Sequence, residues 1–233
     1  MGNLSAISFA VRQALVAQGI HVSHGHVQQL LAASLGHNNL ASYQASGEDA
    51  RLKEANDIVV DYTNLSVRAS RLGCALNTDE LVYTSFQNEL EQRIPHAQLH
   101  RSLEDYVSDL QNYVNDRIVN DDAVNSEVAM TNGWTPESEV ELPYWDGGLD
   151  PNGTEDLNEE LEGLVVVEQD PDRVFYGTQV EVKASLWVAR PGRRLFGKRR
   201  VDVELAQLRW QNVSREDEEE AVEGDYANDP LQP

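Results

Sequence analysis

Three histidines near the amino terminus have the types and spacing that could hold a metal ion. His21, His24 and His26 follow the pattern H-x-x-H-x-H. Imidazole nitrogen is a common ligand of Zn²⁺ and Ni²⁺, but a closed site needs a further donor. No carboxylate or cysteine lies beside these histidines in the sequence, so His24 can equally cap or pack while the other two are solvated. We predict no metal and no cofactor here, and keep a metal-dependent enzyme as an alternative.

A basic segment near the carboxyl end is the second candidate. Residues 190–200, RPGRRLFGKRR, carry six of the 18 lysines and arginines, with two apolar residues in the middle of the predicted loop. Charge would steer a partner toward this loop, and an apolar tip would anchor it. The predicted partner-binding residues are Arg190, Arg193, Arg194, Leu195, Phe196, Lys198, Arg199 and Arg200. Two other interpretations stay open, namely a solvated hairpin loop paired with nearby acids and a nucleic-acid-binding loop.

Motifs of the common enzyme classes are absent from the sequence. It contains no G-x-S-x-G, no P-loop, no G-x-G-x-x-G and no C-x-x-C. Aspartate and glutamate are so abundant, at 40 residues, that a pair of carboxylates carries little information. We predict no catalytic residue, and the sequence favours a protein that is not an enzyme.

The overall charge limits the classes of partner. The 40 acidic residues outnumber the 18 lysines and arginines, which gives a formal net charge of −22. This charge argues against direct binding to nucleic acid or to an anionic membrane, but an acidic surface can compete with nucleic acid for a basic groove. One cysteine, Cys74, no secretory signal and no apolar run long enough for a membrane span predict a cytoplasmic protein.

Helical patterns dominate the first half of the chain. Residues 1–47 predict a small module of three short helices, in which Ser23 caps a helix with apolar positions at 3–4 spacing and Gly36 ends it. Residues 48–133 predict a helical region with a short β-branched strand at 58–60. Its long amphipathic helix is predicted from about Gln98 to Val119, with an apolar seam that could serve a homodimer.

The amino-terminal module resembles a known family. The resemblance lies in the helix led by Arg12, the turn at Gly19, the pair Ser23–His24 and the run LLAASLGHNNLASYQA at 30–45. It is similar to the glyoxalase-related small helical domain over roughly 40 residues, under a fifth of the chain. That domain is common in plasmid and other mobile-element proteins, so the resemblance implies a bacterial, mobile-element origin. It carries no established chemistry, and so it implies no catalytic residue.

The second half of the chain changes in composition and then in period. Residues 134–163 are rich in proline, glycine and acids, which predicts an acidic linker. Residues 164–213 alternate or run apolar, with many valines, which predicts an antiparallel β domain with strands near 164–168, 179–189 and 200–210. Residues 214–233 predict an acidic disordered tail. The fold class is therefore α+β, with an amino-terminal helical bundle followed by a carboxyl-terminal antiparallel sheet.

These observations together favour an interaction protein. We expect an acidic inhibitor from a bacterial mobile element that binds a host nucleoprotein defence complex through that complex's basic surface and blocks it, as anti-CRISPR and antirestriction proteins do. The alternatives are a metal-dependent enzyme at the histidine cluster and a nucleic-acid binder at residues 190–200.

Overall fold

A computed structural model describes residues 3–74, 78–131, 133, 140–141, 149–168 and 179–209. It confirms the α+β class, with helices first and an antiparallel sheet in the carboxyl-terminal half. Across these described residues, every helix is too short or too polar to cross a bilayer. The predicted tail at 214–233 lies outside the described residues, as does much of the predicted linker.

Six helices form the amino-terminal part. They are α1 (Asn3–Ala17), α2 (His24–Ser34), α3 (Leu40–Ser46), α4 (Glu48–Arg51), α5 (Tyr62–Arg71) and α6 (Thr78–Arg93). The predicted cap of α2 is confirmed, because the Ser23 side chain accepts a hydrogen bond from the backbone N–H of His26. Gly36, just beyond the end of α2, has a φ of 81°, a left-handed conformation that favours glycine.

A small sheet lies in the middle of the molecule. It has the order β2-β1-β6, from β1 (Asp57–Val59), β2 (Gln98–His100) and β6 (Leu195–Phe196). The first strand was predicted. The predicted helix start at Gln98 is wrong, because that segment forms β2 and α7 (Leu103–Val119) begins only after the cap at Ser102. Pairing with β1, through the bond from Gln98 N–H to Asn56 O, overrides the local helical period.

A four-stranded antiparallel sheet forms the carboxyl-terminal part. Its order is β3-β4-β5-β7, from β3 (Val140–Glu141), β4 (Leu157–Val166), β5 (Gln179–Val188) and β7 (Arg199–Leu208). Strand β4 begins inside the segment predicted as a linker, so the predicted boundary at residue 163 is wrong. The acids Glu160 and Glu162 suggested a linker, but they alternate with the buried Leu161 along a strand with one face in water.

Two apolar cores lie on either side of the small sheet. Ile58 and Leu195 belong to the core of α1, α2, α5 and α6, whereas Val59 and Phe196 belong to the core under the large sheet. Successive side chains of a strand point to opposite faces, and Ile58 is directly opposite Leu195 in register. Four residues of two short strands therefore join the two halves of the chain.

The long helix α7 is part of the second core. Its buried stripe packs with α8 (Asp122–Met130) against the large sheet, and consists of Tyr106, Leu110, Val114 and Ile118. The seam from which a dimer was suggested is thus buried within a single chain. Helix α7 and the sheet also belong to one core, although the sequence assigned them to separate domains.

Truncation of Phe196 tests the joint between the halves. Phe196 is 1% exposed and stacks on the ring of Tyr106 at a centroid distance of 3.9 Å. We expect Phe196→Ala to lower the free energy of unfolding by about 3–5 kcal/mol, because it removes buried area and leaves a cavity. Leu205 lies in β7, the next strand along the chain, and its side chain is 38% exposed, so Leu205→Ala should lower the free energy of unfolding by less than about 1 kcal/mol. Urea denaturation measures both losses. Equal losses would contradict the conclusion that Phe196 is part of the buried joint between the two halves.

Candidate functional site

Residues 190–200 do not form an exposed finger. Leu195 and Phe196 are 0% and 1% exposed, so the prediction that they lie at an accessible loop tip is wrong. After Gly192 the chain turns inward, and these two residues pair with β1 instead of extending the hairpin into solvent. Full burial of two such side chains stabilises the fold by about 1.5–3 kcal/mol each, which no solvated hairpin tip would gain.

Two of the predicted contact arginines are buried. Arg194 lies 3.3 Å from a carboxylate oxygen of Asp61, and its Nη1 donates a 2.6 Å hydrogen bond to the Pro151 carbonyl. Arg190 Nη2 donates to the Asp150 carbonyl at 2.7 Å, and burial lowers the pKa of its guanidinium. These arginines hold residues 150–151 against the joint, and in this conformation they are not available to a partner.

Arg193 ties the segment to the amino-terminal module. Its backbone N–H donates to Glu48 Oε1 at 3.2 Å, and its side chain donates to the Gly36 carbonyl at 3.2 Å. Glu48 is completely buried, and its other carboxylate oxygen lies 3.0 Å from His37 Nε2. A buried carboxylate is costly unless it is paired. The basic segment supplies one of the two partners of Glu48, the backbone N–H of Arg193, and His37 is the other. Gly192 leaves room for it, since a Cβ there would lie 2.6 Å from the Glu48 carboxyl carbon.

The remaining three cations lie nearer the surface. Arg199 is half-buried, bonds to Asp109 Oδ2 at 2.7 Å and lies 4.2 Å from the centre of the Tyr113 ring. Lys198 and Arg200 are exposed, and Arg200 is paired with Asp202. Of the eight predicted contact residues, only these two are fully accessible.

The amino-terminal histidines do not converge. His21 and His26 are exposed and His24 is half-buried. His21 and His26 line a surface pocket of about 470 Å³ that Cys74 also borders. Within the part of the chain that the structure describes, these three histidines do not form a group with mutually close ligand atoms. The structure therefore gives no support to the metal-dependent alternative at this position.

A different group of possible ligands lies at the small sheet. Asp57 from β1, His100 from β2 and Asp109 from α7 place one ligand atom each within 4.8 Å of one another. His100 Nε2 is 3.1 Å from Asp57 Oδ1, and both side chains are buried. Gln98, two residues before His100 in β2, donates to Asp109 Oδ1 at 3.2 Å. Desolvation opposes ionisation of Asp109, but the bonds from Arg199 and Gln98 outweigh it and lower the pKa of this carboxyl.

Tyr106 closes the inner side of this group. It is fully buried, and its hydroxyl has no hydrogen-bond partner. Its ring packs edge-on against His100 at a centroid distance of 5.3 Å. Burial raises the pKa of the Tyr106 hydroxyl, and the charge of Asp57 raises it further. A buried orphan hydroxyl costs free energy, so this position calls for a bonding partner.

Sequence reasoning missed this group for a simple reason. The three ligand residues lie 43 and 9 positions apart along the chain, and each is isolated in its own segment. The parallel pairing of β1 with β2, which brings Asp57 and His100 together, was hidden because residues 98–100 were predicted as helix. The available signal was the alternation Gln98-Leu99-His100, which places the two polar residues on one strand face.

The outer face of the large sheet is acidic. The inner residues of β5 are buried, and by alternation Trp187, Lys183 and Glu181 point to the opposite side. Exposed carboxylates on this outer face belong to Glu160, Glu162, Glu181 and Asp202, and Glu204 is exposed at the bulge beside the outward-facing Leu205. Lys183 Nζ bonds to Glu162 at 2.6 Å, and this hydrogen bond raises the pKa of the lysine.

Comparison with known proteins adds no relative. No protein-family model, no curated protein and no solved structure matches this chain.

Removal of Arg194 tests its structural role. We expect Arg194→Ala to lower the free energy of unfolding by about 1.5–3 kcal/mol, because it removes the hydrogen bonds of a buried guanidinium to Asp61 and to the Pro151 carbonyl. Arg200→Ala removes an arginine from the same segment, but this side chain is 72% exposed and should cost at most about 0.5 kcal/mol. Thermal and urea unfolding measure both. A mild effect of Arg194→Ala would mean that the segment is not held by this contact.

Two glycine substitutions should change the stability of the protein in opposite directions. Gly192→Ala places a methyl group against the buried Glu48 carboxyl and should destabilise the protein by about 1–3 kcal/mol through overpacking. Gly25→Ala, in α2 with open space around it, should stabilise the protein by about 0.5–1 kcal/mol because alanine favours the helix. Differential scanning calorimetry of the two variants decides this. A neutral Gly192→Ala would show that Glu48 does not closely contact the segment.

Proposed function

We propose that this protein binds a host protein complex through its acidic surface and blocks that complex's nucleic-acid-binding site. The main support is that most cations of residues 190–200 point into the protein and not into solvent. Arg190 and Arg194 are buried, and Arg193 and Arg199 are half-buried and bonded inside the chain. These four arginines therefore bond inside the chain and do not neutralise the outer surface. Carboxylates dominate the charge of the described surface.

The outer face of the large sheet is the contact surface that we propose. Among the described side chains, five carboxylates outnumber two cations there, and both cations, Lys183 and Arg200, are paired with acids. Strand residues two apart are about 6.6 Å from each other, so Glu160 and Glu162 repeat negative charge along a line. Such an array complements the lysines and arginines of a groove that binds a phosphate backbone.

Trp187 supplies an anchor within this face. It is half-buried in β5 and lies directly between Asn158 of β4 and Arg200 of β7. Tryptophan is enriched among the residues that carry most of the binding energy at protein interfaces. An aromatic anchor surrounded by charged side chains favours a specific protein partner over diffuse attraction of counterions.

The target class comes from the amino-terminal module. The resemblance of residues 12–45 to a domain common in mobile-element proteins favours a bacterial defence complex as the target, as for anti-CRISPR and antirestriction proteins. Such a target lies in the cytoplasm. The nucleic-acid-binding alternative has less support, because Lys198 and Arg200 alone remain exposed among the cations of residues 190–200.

Charge removal on the sheet face tests this proposal. The tagged full-length chain would be incubated with nuclease-treated bacterial lysate, and any captured complex would be identified and assayed for binding to labelled nucleic acid. We expect a basic nucleoprotein complex whose nucleic-acid binding falls as the chain is added. The triple variant Glu160→Gln/Glu181→Gln/Glu204→Gln should bind that complex at least about tenfold more weakly, a loss of about 1.4 kcal/mol.

A matched variant controls for net charge. Glu54→Gln/Glu91→Gln/Asp116→Asn removes three exposed carboxylates from the helical part and changes the net charge by the same amount. It should retain wild-type affinity. Equal weakening by both triple variants would mean that binding depends on net charge and not on the sheet face. Failure to capture a nucleic-acid-binding complex, or direct binding of the wild-type chain to labelled DNA, would overturn the proposal.

A further inference from the structure

We propose that Asp57, His100 and Asp109 form a binding site for a divalent first-row transition-metal ion. The group offers one imidazole nitrogen and two carboxylates, a donor set that suits Zn²⁺ and related ions. The site is separate from the sheet face of the proposed function, and the inference does not depend on that function.

The spacing of the inner pair matches metal coordination. Ligand atoms about 2.0–2.1 Å from a Zn²⁺ ion in tetrahedral geometry are about 3.3 Å apart. His100 Nε2 and Asp57 Oδ1 are hydrogen-bonded at 3.1 Å, a contact that the ion would replace. Two secondary-structure elements fix these side chains, because Val59 pairs with His100 in the parallel register of β1 and β2. The inner half of the site is therefore already organised.

Asp109 supplies the outer ligand. It lies on α7 with a side chain that is 29% exposed, so a rotamer change can bring a carboxylate oxygen closer without moving the helix. Gln98, which is exposed and bonded to Asp109, marks the solvent side from which an ion and its water would enter.

The orphan hydroxyl of Tyr106 is the second observation that points to a ligand. It is buried, it lacks a partner, and its ring packs against the His100 ring at a centroid distance of 5.3 Å. A water molecule held on the ion at the open coordination position would give this hydroxyl a hydrogen-bond partner. Hydrogen bonds between the groups on a metal ion and the side chains around them are typical of metal sites.

In this structure, the guanidinium of Arg199 lies beside Asp109, where the metal ion would bind. Its guanidinium lies 2.7 Å from Asp109 Oδ2 and neutralises part of the negative charge. A metal ion must compete with this arginine for Asp109, and the arginine must shift toward solvent. This competition gives a prediction that a purely structural role for the cluster does not make, namely that removal of Arg199 strengthens metal binding.

Calorimetric titration of the full-length protein with ZnCl₂ tests the site. The protein would be purified without a histidine tag and treated with a chelator that is then removed. We expect one Zn²⁺ per chain, and visible d–d absorption bands when Co²⁺ replaces it. Asp109→Asn should weaken Zn²⁺ binding at least about tenfold, and Arg199→Gln should strengthen it about tenfold.

Controls separate this site from other histidines and from misfolding. His21→Ala/His26→Ala removes two exposed histidines near the amino terminus and should leave the affinity unchanged. Circular dichroism and thermal unfolding would show that each variant folds, and Asp109→Asn replaces a partly exposed residue for this reason. The inference would be overturned by absence of Zn²⁺ binding, by loss of binding in the His21/His26 variant alone, or by weaker binding in Arg199→Gln.

Discussion

The structure depends on the insertion of residues 192–196 into the amino-terminal half of the chain. Leu195 and Phe196 complete one side of β1 and fill two different cores, while Gly192 and the backbone of Arg193 contact the buried carboxylate of Glu48. A buried carboxylate without partners is strongly destabilising. Glu48 has one partner, His37, within the helical module and takes the other, the backbone N–H of Arg193, from the segment, so the two halves share one buried polar contact.

This insertion also decides how the charge is distributed. The densest run of cations in a chain of net charge −22 is placed mostly inside, where Arg190 and Arg194 bond to backbone carbonyls of residues 150 and 151. Desolvated guanidinium groups need acceptors, and carbonyls of an adjacent loop provide most of them, together with Asp61 for Arg194. Exposed carboxylates thus keep most of their charge. Next to this segment, Arg199 bonds to Asp109, and Phe196 stacks on Tyr106 beside the Asp57–His100–Asp109 group.

Local patterns determined much of the secondary structure. The caps at Ser23 and Ser102, the glycines with positive φ at 36 and 73, and the alternating valines of β5 follow from short-range sterics and hydrogen bonding. These effects involve residues within four or five positions, so a sequence displays them directly. The α+β class follows from them as well, because helical periods precede strand periods along the chain.

Tertiary structure decided the features that involve distant residues. Residues 98–100 have a helical period but form a strand, because β1 offers unpaired backbone groups that β2 satisfies. Leu195 and Phe196 resemble an exposed tip in sequence, yet their burial depends on β1, more than 130 positions away. The group of Asp57, His100 and Asp109 likewise exists only after three elements meet. Composition indicated an acidic chain with few cations, but long-range pairing alone determined which cations face solvent, since local sequence does not encode the partners that bury them.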